Sequence, residues 1–439
     1  MRILPMLLLG LSLPAAPAAA ATLVGTPDDY RAQVAKLAPG DMLQLAPGVY
    51  RDRLPLSGKH GDAAAWIVVC GPDAGTATFT GVRGYNTVDL SDCSFVAVKN
   101  IAVDCLGLPV DGVNAKGTVA VHDVLLENVK IVNAGANQQI VGINTKCPCW
   151  NWTIRGCEIV GAGTGMYLGN SNGEAPFLRG VIEYNRVYDP EGYCLEIKHQ
   201  NSWPADAPAG VGTTIIRHNV FIKTDRASGS GDRPNLLFGG FPMSGPGGDD
   251  RYEVYGNFVA SNPRESLIQA TGRFTIHDNL LVNASGAKFA GIVATAHQGK
   301  SVKHAVVYNN TIYACSRGIR AASGSRIDVA VGNLVFSDDP ISGDIALKAN
   351  NLTAAPSVAG DYVVKPATTL GEMDFSPLPG RCVGDAPQID AFRADVDFDR
   401  DFSGAPKDFS VRGAYARPGG AQAWSPSNAL KPRPSVAGP

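Results

Sequence analysis

The chain has 439 residues, of which 45% are hydrophobic and only 18% charged, and its formal net charge is −2. Because binding to a phosphate backbone needs a clear excess of Lys and Arg, this balance argues against a nucleic-acid partner. The 50 Gly and 30 Pro residues exceed average usage but stay below the level of low-complexity disorder, so a packed protein with many turns is expected.

The first 21 residues are predicted to be a secretory signal peptide. Arg2 precedes an apolar run over residues 3–13, and an alanine-rich stretch then ends at Ala21. This order of basic, apolar and small residues is that of an export signal. The apolar run is too short to cross a bilayer, and no later run reaches about 18 apolar residues. We therefore expect a secreted or periplasmic protein without a membrane span.

Residues 27–37 are predicted to form a short helix, because Tyr30, Val34 and Leu37 follow helical spacing. If a stack of coils follows, its first coil has no neighbour to cover its core. The helix is therefore expected to act as an N-terminal cap.

A short pattern then recurs along most of the chain. Alternating β-forming residues, one polar residue, an Asn or once a Cys, and further apolar residues repeat nine times, with centres 22 to 38 positions apart. The nine centres are Asn100, Asn128, Cys157, Asn185, Asn219, Asn257, Asn279, Asn310 and Asn333. Repeats of this length are typical of solenoids.

A second strand lies between these repeats. Seven segments begin with a small or polar residue followed by Ile, Met or Leu, at 142–146, 165–169, 194–198, 235–239, 266–270, 291–295 and 318–322. Two strands per repeat, no helical period, and Asn at turns where the backbone is left-handed together predict an all-β, right-handed parallel β-helix. The prediction is a single domain over 22–415, with the repeat fading near Thr353 and a disordered Pro-rich tail over 416–439.

The nine cysteines are expected to have structural roles. Export permits disulfides, but an odd number leaves at least one thiol free. Cys147 and Cys149 have no second cysteine or histidine pair nearby at the spacing of a zinc site. Buried thiols, or a local disulfide among Cys147, Cys149 and Cys157, are the two interpretations.

Segments at both ends of the repeats resemble those of a known superfamily. The segments Leu37-Ala-Pro-Gly-Asp41 and Leu45-Ala-Pro-Gly-Val-Tyr50, and the late segment 397–404, look like secreted right-handed β-helix proteins of the pectate-lyase-like superfamily. Within it, Glu196-Ile-Lys198 followed by Arg217-His-Asn219 is similar to the alginate lyase and chondroitinase B group. The Arg-His-Gly segment of that group is replaced here by residues 235–242.

The resemblance implies a substrate and a possible cofactor. It implies an acidic polysaccharide as the partner and a catalytic Lys at position 198. It also implies calcium as the cofactor, with Glu196 as a ligand, although the second carboxylate of that group is missing and Tyr193 stands near its place.

Equivalent residues of a parallel β-helix stack about 4.8 Å apart, so that repeats become columns on the surface. The position two residues before the repeat centre should face outward, because the residue before it is always Ile or Val. This column reads Arg155, Glu183, Arg217, Tyr255, His277 and Tyr308. On the second strand, the outward positions are Asn144, Lys146, Tyr167, Glu196 and Lys198.

β-Elimination on a uronic acid needs a neutralised carboxylate, a base and an acid. Lys198 is the first candidate for the base and His199 the second, whereas Arg217 and Arg233 suit the carboxylate. Tyr255 or His277 is the candidate for the acid. The predicted catalytic residues are Lys198, His199, Arg217, Tyr255 and His277. The predicted substrate-binding residues are Arg155, Glu183, Arg233, Tyr167 and Lys146.

The longest insertions lie beside these residues. The coils centred on Asn185 and Asn219 extend 34 and 38 residues to the next centre, and long loops on a compact scaffold are usually functional. Asp249 and Asp250 could suggest the carboxylate pair of a glycoside hydrolase, but further motifs of that kind are missing.

The predicted function is therefore that of an exported, monomeric polysaccharide lyase, which cleaves a uronic-acid-containing glycan by β-elimination. A C5-epimerase on the same substrates is one alternative, since it shares the proton abstraction. A non-catalytic glycan-binding or structural β-helix protein is the other.

Overall fold

A computed structural model describes residues 20–283, 288–417 and 424–433. The predicted signal peptide, apart from its last two residues, lies outside the described residues. Within those ranges, no helix has the length and apolar character needed to cross a membrane.

The described strands wind into a stack of parallel coils, as predicted. A 25-stranded hydrogen-bonded sheet bends into two faces and a 12-stranded sheet forms a third. We call the two faces the first and second sheets and the 12-stranded sheet the third sheet. Each full coil passes through the first, second and third sheets in that order. The fold is an all-β right-handed parallel β-helix.

The strands of the first sheet are Leu54–His60, the first half of Val88–Lys99, Val113–Ala115, Val141–Thr145, Thr164–Leu168, Leu195–Ile197, Leu236–Phe238, Ile268–Ala270, Ala290–Ala294, Arg317–Ala321 and Asp339–Ser342. Those of the second sheet are Thr22–Gly25, Met42–Leu45, Ile67–Cys70, the second half of Val88–Lys99, Val121–Glu127, Cys149–Trp150, Thr153–Arg155, Phe177–Leu178, Val181–Glu183, Thr213–Arg217, Arg251–Tyr255, Gly272–His277, Val302–Tyr308, Arg326–Val331 and Asp344–Ala349. Those of the third sheet are Gly48–Tyr50, Ala77–Thr80, Ala102–Asp104, Lys130–Val132, Glu158–Val160, Arg186–Tyr188, Val220–Ile222, Phe258–Ala260, Leu280–Val282, Thr311–Tyr313, Leu334–Phe336 and Leu352–Ala354.

The interior is built from aliphatic columns. Ile154, Ile182, Ile216, Val254 and Ile276 are aligned on successive strands of the second sheet, and all are fully buried. One coil cannot cover its own apolar residues, so the core forms only when coils stack on each other.

Buried asparagines connect the coils at the corner between the second and third sheets. The ladder residues are Asn185, Asn219, Asn257, Asn279, Asn310 and Asn333, all fully buried. From Asn219 onward, the side-chain oxygen of each accepts hydrogen bonds from the backbone and side-chain amides of the Asn one coil earlier, at 2.9–3.1 Å. Each side-chain amide also donates to a backbone carbonyl of the preceding coil. The ladder therefore satisfies polar groups that the corner would otherwise bury unpaired.

The first two predicted repeat centres lie one residue outside this ladder. Asn100 and Asn128 have left-handed φ angles of 55° and 54° and sit on the outside of the corner. The inward positions of their coils are Ile101 and Val129, both buried. Asn suits the left-handed backbone outside the corner and the hydrogen-bonded position inside it. The sequence pattern therefore did not distinguish the two positions.

The predicted N-terminal cap is confirmed. The helix spans Tyr30–Lys36, and Tyr30, Val34 and Leu37 are buried. The ring of Tyr30 lies 5.1 Å from that of Tyr50 and 5.5 Å from that of Phe79, both in the first coils of the third sheet. The helix thereby covers the open end of the core.

The chain continues past the last coil, Leu352–Ala354, and folds back along the stack. It forms a 3₁₀ helix at Pro356–Asp361, an antiparallel strand pair at Val363–Lys365 and Asp374–Pro377, and a second 3₁₀ helix at Ile389–Phe392. Residues 392–417 and 424–433, here called the C-terminal segment, then lie over the second sheet and its corner with the third sheet. The ring of Phe392, for example, stacks on that of Tyr308 at 4.2 Å.

Part of the predicted disordered tail belongs to this packed segment. Lys431 is buried and its ammonium donates to the carbonyl oxygens of Gly256 and Phe402, at 2.9 and 2.8 Å. The same ammonium lies 3.5 Å from the centre of the Phe402 ring. Residues 424–433 therefore pack against the rest of the chain through contacts such as this cation–π contact, which composition does not reveal. Residues 418–423 and 434–439 lie outside the described residues.

All nine cysteines carry free thiols, and eight of them are buried. The sulfur atoms of Cys147 and Cys149 are 3.8 Å apart, whereas a disulfide bond is about 2.05 Å long. The structure thus shows the buried thiols rather than the local disulfide.

We expect Asn279→Ala to lower the free energy of unfolding by about 2–4 kcal/mol, because it leaves the amide of Asn257 and the carbonyl of Val254 buried without partners. Urea-induced unfolding followed by circular dichroism measures this loss. The control is Asn137→Ala, which removes only a local bond to the Gln139 amide in an exposed turn. Equal losses in the two variants would contradict a stabilising ladder.

The stability of the fold is also expected to depend on Asp395 in the C-terminal segment. Burial, and then the charge of Glu253, raise the pKa of Asp395 from 3.8 to about 6. The folded state then binds more protons than the unfolded state between about pH 4 and 6, so the unfolding free energy falls as pH rises through that window. Urea unfolding at several pH values should show a smaller fall in Asp395→Asn. The exposed neighbour substitution Asp390→Asn should leave the slope unchanged, and a wild-type slope in Asp395→Asn would refute the assignment.

Candidate functional site

Polar residues collect on the outer face of the first sheet. Asn114, Asn144, Tyr167, Glu196 and Leu237 are in register on five successive strands. Four of these five outward positions carry polar groups, unlike the aliphatic columns that face the core. The first sheet therefore presents a polar floor to the outside.

Two loops flank this floor at opposite ends of its strands. The insertion 223–235 precedes the strand Leu236–Phe238, and within it the Ser230 amide donates to the side chain of Gln138 at 2.6 Å. The loop 198–212 follows the strand Leu195–Ile197, and the side chain of Asn201 donates to the carbonyl of Asn172 at 2.7 Å. We call the floor between these loops the groove. The two insertions noted in the sequence thus form its walls.

A buried ion pair lies in the middle of the groove. The ammonium of Lys198 is 2.8 Å from a carboxylate oxygen of Glu196, and the two side chains are only 7% and 2% exposed. Glu196 lies on the strand Leu195–Ile197 and Lys198 directly follows it, two positions on, so both side chains point to the same side. Burial raises the pKa of Glu196, although Lys198, Arg233 and Lys146 oppose this shift.

Tyr167 lies directly beside this pair on the preceding coil. The ammonium groups of Lys146 and Lys198 are 4.1 and 5.6 Å from the centre of its ring. Burial, and then the charge of Glu196, raise the pKa of the Tyr167 phenol, so it stays protonated near neutral pH. Burial also lowers the pKa of Lys146. Tyr167 is therefore a proton donor next to two amines.

Arg233 reaches the same region from the insertion. Its guanidinium donates to the carbonyls of Asp232 and Ser230, both at 2.9 Å, and lies 5.7 Å from the centre of the Tyr193 ring. Its own carbonyl accepts a bond from the ammonium of Lys223 at 3.0 Å. The loop thus holds this guanidinium in place close enough to act on the charge of Glu196.

Two histidines complete the groove. Burial, and then Lys198, lower the pKa of His199. Burial also lowers the pKa of His297, followed by the charges of Lys198, His199 and Arg233. Lowered pKa values favour neutral imidazoles near neutral pH. His297 thus shares one electrostatic environment with three predicted site residues.

His297 and the polar network under Lys146 were not predicted as site residues. Asp111 accepts bonds from the side-chain amides of Asn144 and Asn114 at 2.7 and 3.0 Å, and its charge acts on Lys146. The available signal for His297 was its position just after the strand 290–294, since His199 also follows a strand of the first sheet. Asp111 precedes its strand and carried no repeat signal.

Five predicted residues lie on another face. Arg155, Glu183, Arg217, Tyr255 and His277 are aligned on the second sheet as the sequence predicted. They neutralise one another, since Arg217 lies 2.7 Å from Glu183, and Arg155 lies 3.7 Å from the same carboxylate. Further along, the rings of Tyr255 and His277 stack at 4.8 Å. The side chains of this column therefore contact mainly one another.

The C-terminal segment covers the end of this column that contains Arg217, Tyr255 and His277. Asp397 accepts a hydrogen bond from the Tyr255 hydroxyl at 2.9 Å, and Lys407 pairs with Asp278 beside His277. His277 is 0% exposed and Tyr255 2%. The structure therefore does not bring these residues together with Lys198, and Tyr255 and His277 are covered. The register was right, but a segment more than 100 residues away occupies the surface.

The residues around Glu196 do not fit a calcium ion. Calcium takes six to eight oxygen ligands. Here one carboxylate oxygen already accepts the Lys198 ammonium, Lys146 and Arg233 add two positive charges, and the next residue in register is Leu237. Among the described residues, no group of three or more His, Cys, Asp and Glu side chains is placed to hold a metal. The resemblance-based assignment of Glu196 to calcium does not agree with this donor set.

Asp249 and Asp250 serve the loops next to the groove. Asp249 pairs with Arg273 at 2.8 Å, and buried Asp250 accepts the Gly212 amide at 2.6 Å. Neither carboxylate is set up as one of two facing hydrolytic groups.

Glu196→Gln is expected to lower the unfolding free energy by about 3 kcal/mol, because it leaves the buried Lys198 ammonium unpaired near Lys146 and Arg233. Glu158→Gln is the control, since it breaks a more exposed pair with Arg186 and should cost about 1 kcal/mol or less. The double variant Glu196→Gln/Lys198→Met should recover part of the loss in urea unfolding. Strictly additive losses would argue against coupling of the two groups.

Comparison with known proteins concerns the fold alone. No protein-family model matches the chain, and no curated protein matches it. Among solved structures, an alginate lyase from Paenibacillus sp. str. FPU-7 aligns with a TM-score of 0.49 at 15% identity, over 76% of this chain and 99% of that one. Pectate lyase Pel9A aligns with a TM-score of 0.49 at 12% identity, over 91% and 97%. A GH136 lacto-N-biosidase from Eubacterium ramulus gives 0.47 at 13%, over 76% and 68%. The stacked parallel sheets themselves establish the β-helix that the resemblance to the pectate-lyase-like superfamily predicted.

Proposed function

We propose that the protein is a polysaccharide lyase that cleaves a uronic-acid-containing glycan by β-elimination in the groove. The observation that carries this proposal is the buried Lys198–Glu196 pair beside the protonated phenol of Tyr167. It puts a potential base and a potential acid on adjacent coils of the first sheet.

Lys198 takes the proton from C5 of the uronic acid. This requires a neutral amine, and the bonded Glu196 carboxylate provides a local acceptor for the extra proton of the ammonium. Because burial raises the pKa of Glu196, this carboxylate is a better proton acceptor than a carboxylate in water. The freed lone pair then accepts the C5 proton.

Arg233 and Lys146 hold the carboxylate of the sugar. Their charges flank the pair, and a planar guanidinium can bind both carboxylate oxygens. Neutralising that group acidifies C5 and stabilises the negative charge that develops as the proton leaves. In the protein without substrate, the surplus positive charge around Glu196 fits this role.

Tyr167 gives its proton to the glycosidic oxygen. The electrons of the C5–H bond form the C4–C5 double bond, the C4–O bond breaks, and the leaving oxygen receives the phenol proton. The Lys198 ammonium, 5.6 Å from the ring centre, then returns a proton to the tyrosinate. Tyr167 thereby takes the acid role that the sequence had suggested for Tyr255 or His277.

The test is incubation of the purified protein with alginate, pectate, glucuronan and glycosaminoglycans while the ultraviolet absorbance of the unsaturated product is followed. Lys198→Arg keeps a cation for Glu196 but cannot act as a base, so the rate should fall about 10³-fold. The control is Lys130→Arg, on the exposed third sheet, which should retain the wild-type rate.

Three results would overturn the proposal. One is an active Lys198→Arg variant. Another is deuterium uptake at C5 without cleavage, which would identify an epimerase. The third is glycan binding without either reaction on any polymer, which would identify a binding protein.

A further inference from the structure

A second cavity lies away from the groove, where the C-terminal segment covers the corner between the second and third sheets. Its volume is about 250 Å³. The coils contribute Tyr184 and His218 to its lining, and the C-terminal segment contributes Asp397, Phe402, Trp424 and Lys431. The cavity exists only because 424–433 packs against the coils.

Aromatic rings form two walls of this cavity. The rings of Tyr184 and His218 are stacked 5.0 Å apart on the side of the coils. The rings of Phe402 and Trp424 lie 6.2 Å apart on the side of the C-terminal segment. Such walls suit the apolar C–H faces of a sugar ring, with polar tips available to its hydroxyl groups.

The polar groups of the cavity include one carboxylate and two basic side chains. The single carboxylate of the lining, Asp397, is already matched by the Tyr255 hydroxyl at 2.9 Å and by Arg217 at 3.4 Å. Arg400, which lies 3.7 Å from Asp399 outside the lining, contributes one positive charge. Burial lowers the pKa of Lys431 to about 7, so its ammonium contributes a second charge below that pH. The Lys431 ammonium donates two of its three N–H groups to carbonyl oxygens, so one N–H remains for another acceptor.

One further donor is left over at the same place. The indole N–H of Trp424 is buried and has no hydrogen-bond partner within the part of the chain that the structure describes. A buried donor of this kind is costly unless a ligand or water satisfies it.

We propose that this cavity is a non-catalytic binding site for a single sugar unit that carries a carboxylate, namely a uronic acid. The rings contact the sugar face, Lys431 and Arg400 attract the carboxylate, and the Trp424 indole donates to an oxygen. A cavity of about 250 Å³ is smaller than most ligand pockets, so it suits one ring rather than a chain segment. The site is on a different face from Lys198 and does not depend on the lyase reaction.

His218→Asn tests the site without disturbing the fold. His218 has a left-handed φ of 55°, and Asn already occupies the equivalent corner position at Asn128, with a φ of 54°. The substitution therefore keeps the turn and removes one of the two rings of the coil-side wall. The matched control is His304→Asn, an exposed histidine of the second sheet.

Isothermal titration with glucuronate and galacturonate, and with glucose and galactose as neutral counterparts, measures the binding. The expected result is uronate binding that weakens at least tenfold in His218→Asn and is unchanged in His304→Asn. The Lys198→Arg variant should bind as the wild type does, so failure of the lyase proposal would leave this one intact. Binding of oligouronates but not of the free acids would support the site with a chain end as its ligand. Absence of all uronate binding, equal binding of neutral sugars, or no effect of His218→Asn would overturn it.

Discussion

The buried asparagine ladder and the parallel backbone bonds beside it set the register on which the rest of the molecule depends. Each ladder amide bonds both to the next coil and to a carbonyl of the previous one, inside a corner without room for water-exposed polar groups. A one-residue slip of any coil would turn its aliphatic residues outward and break these bonds. Every outward side chain is therefore held directly beside the equivalent side chain of the neighbouring coil.

This register produces two polar faces with opposite properties. On the second sheet, acidic and basic residues alternate, as with Glu183 and Arg217, so the column neutralises itself and accepts the C-terminal segment as a cover. On the first sheet, two buried carboxylates, Glu196 and Asp111, face three cations, Lys146, Lys198 and Arg233. That face lies between two insertions, and its surplus positive charge suits an acidic glycan. Charge balance within a column thus separates a structural surface from a candidate site.

Much of this follows from local pattern. Aliphatic and polar alternation placed Ile154 inside and Arg155 outside, and the two-residue spacing of Glu196 and Lys198 placed them on one side of a strand. The column argument also brought Tyr167 next to Glu196. The asparagine pattern, in contrast, confused the inside and the outside of the corner in the first coils, because Asn suits both a left-handed turn and a buried ladder.

Local periodicity was sufficient for the β-helix, for its capping helix and for the columns, because those depend on residues within one or two coils of each other. Which column remains accessible depends on contacts such as that between Tyr255 and Asp397, 142 residues apart. The packing of Trp424 and Lys431, and the cavity beneath them, arise in the same way. Periodicity carries no information on such pairs, since at least one residue of each pair belongs to no repeat. Only the folded chain decided where the groove lies and which column the C-terminal segment covers.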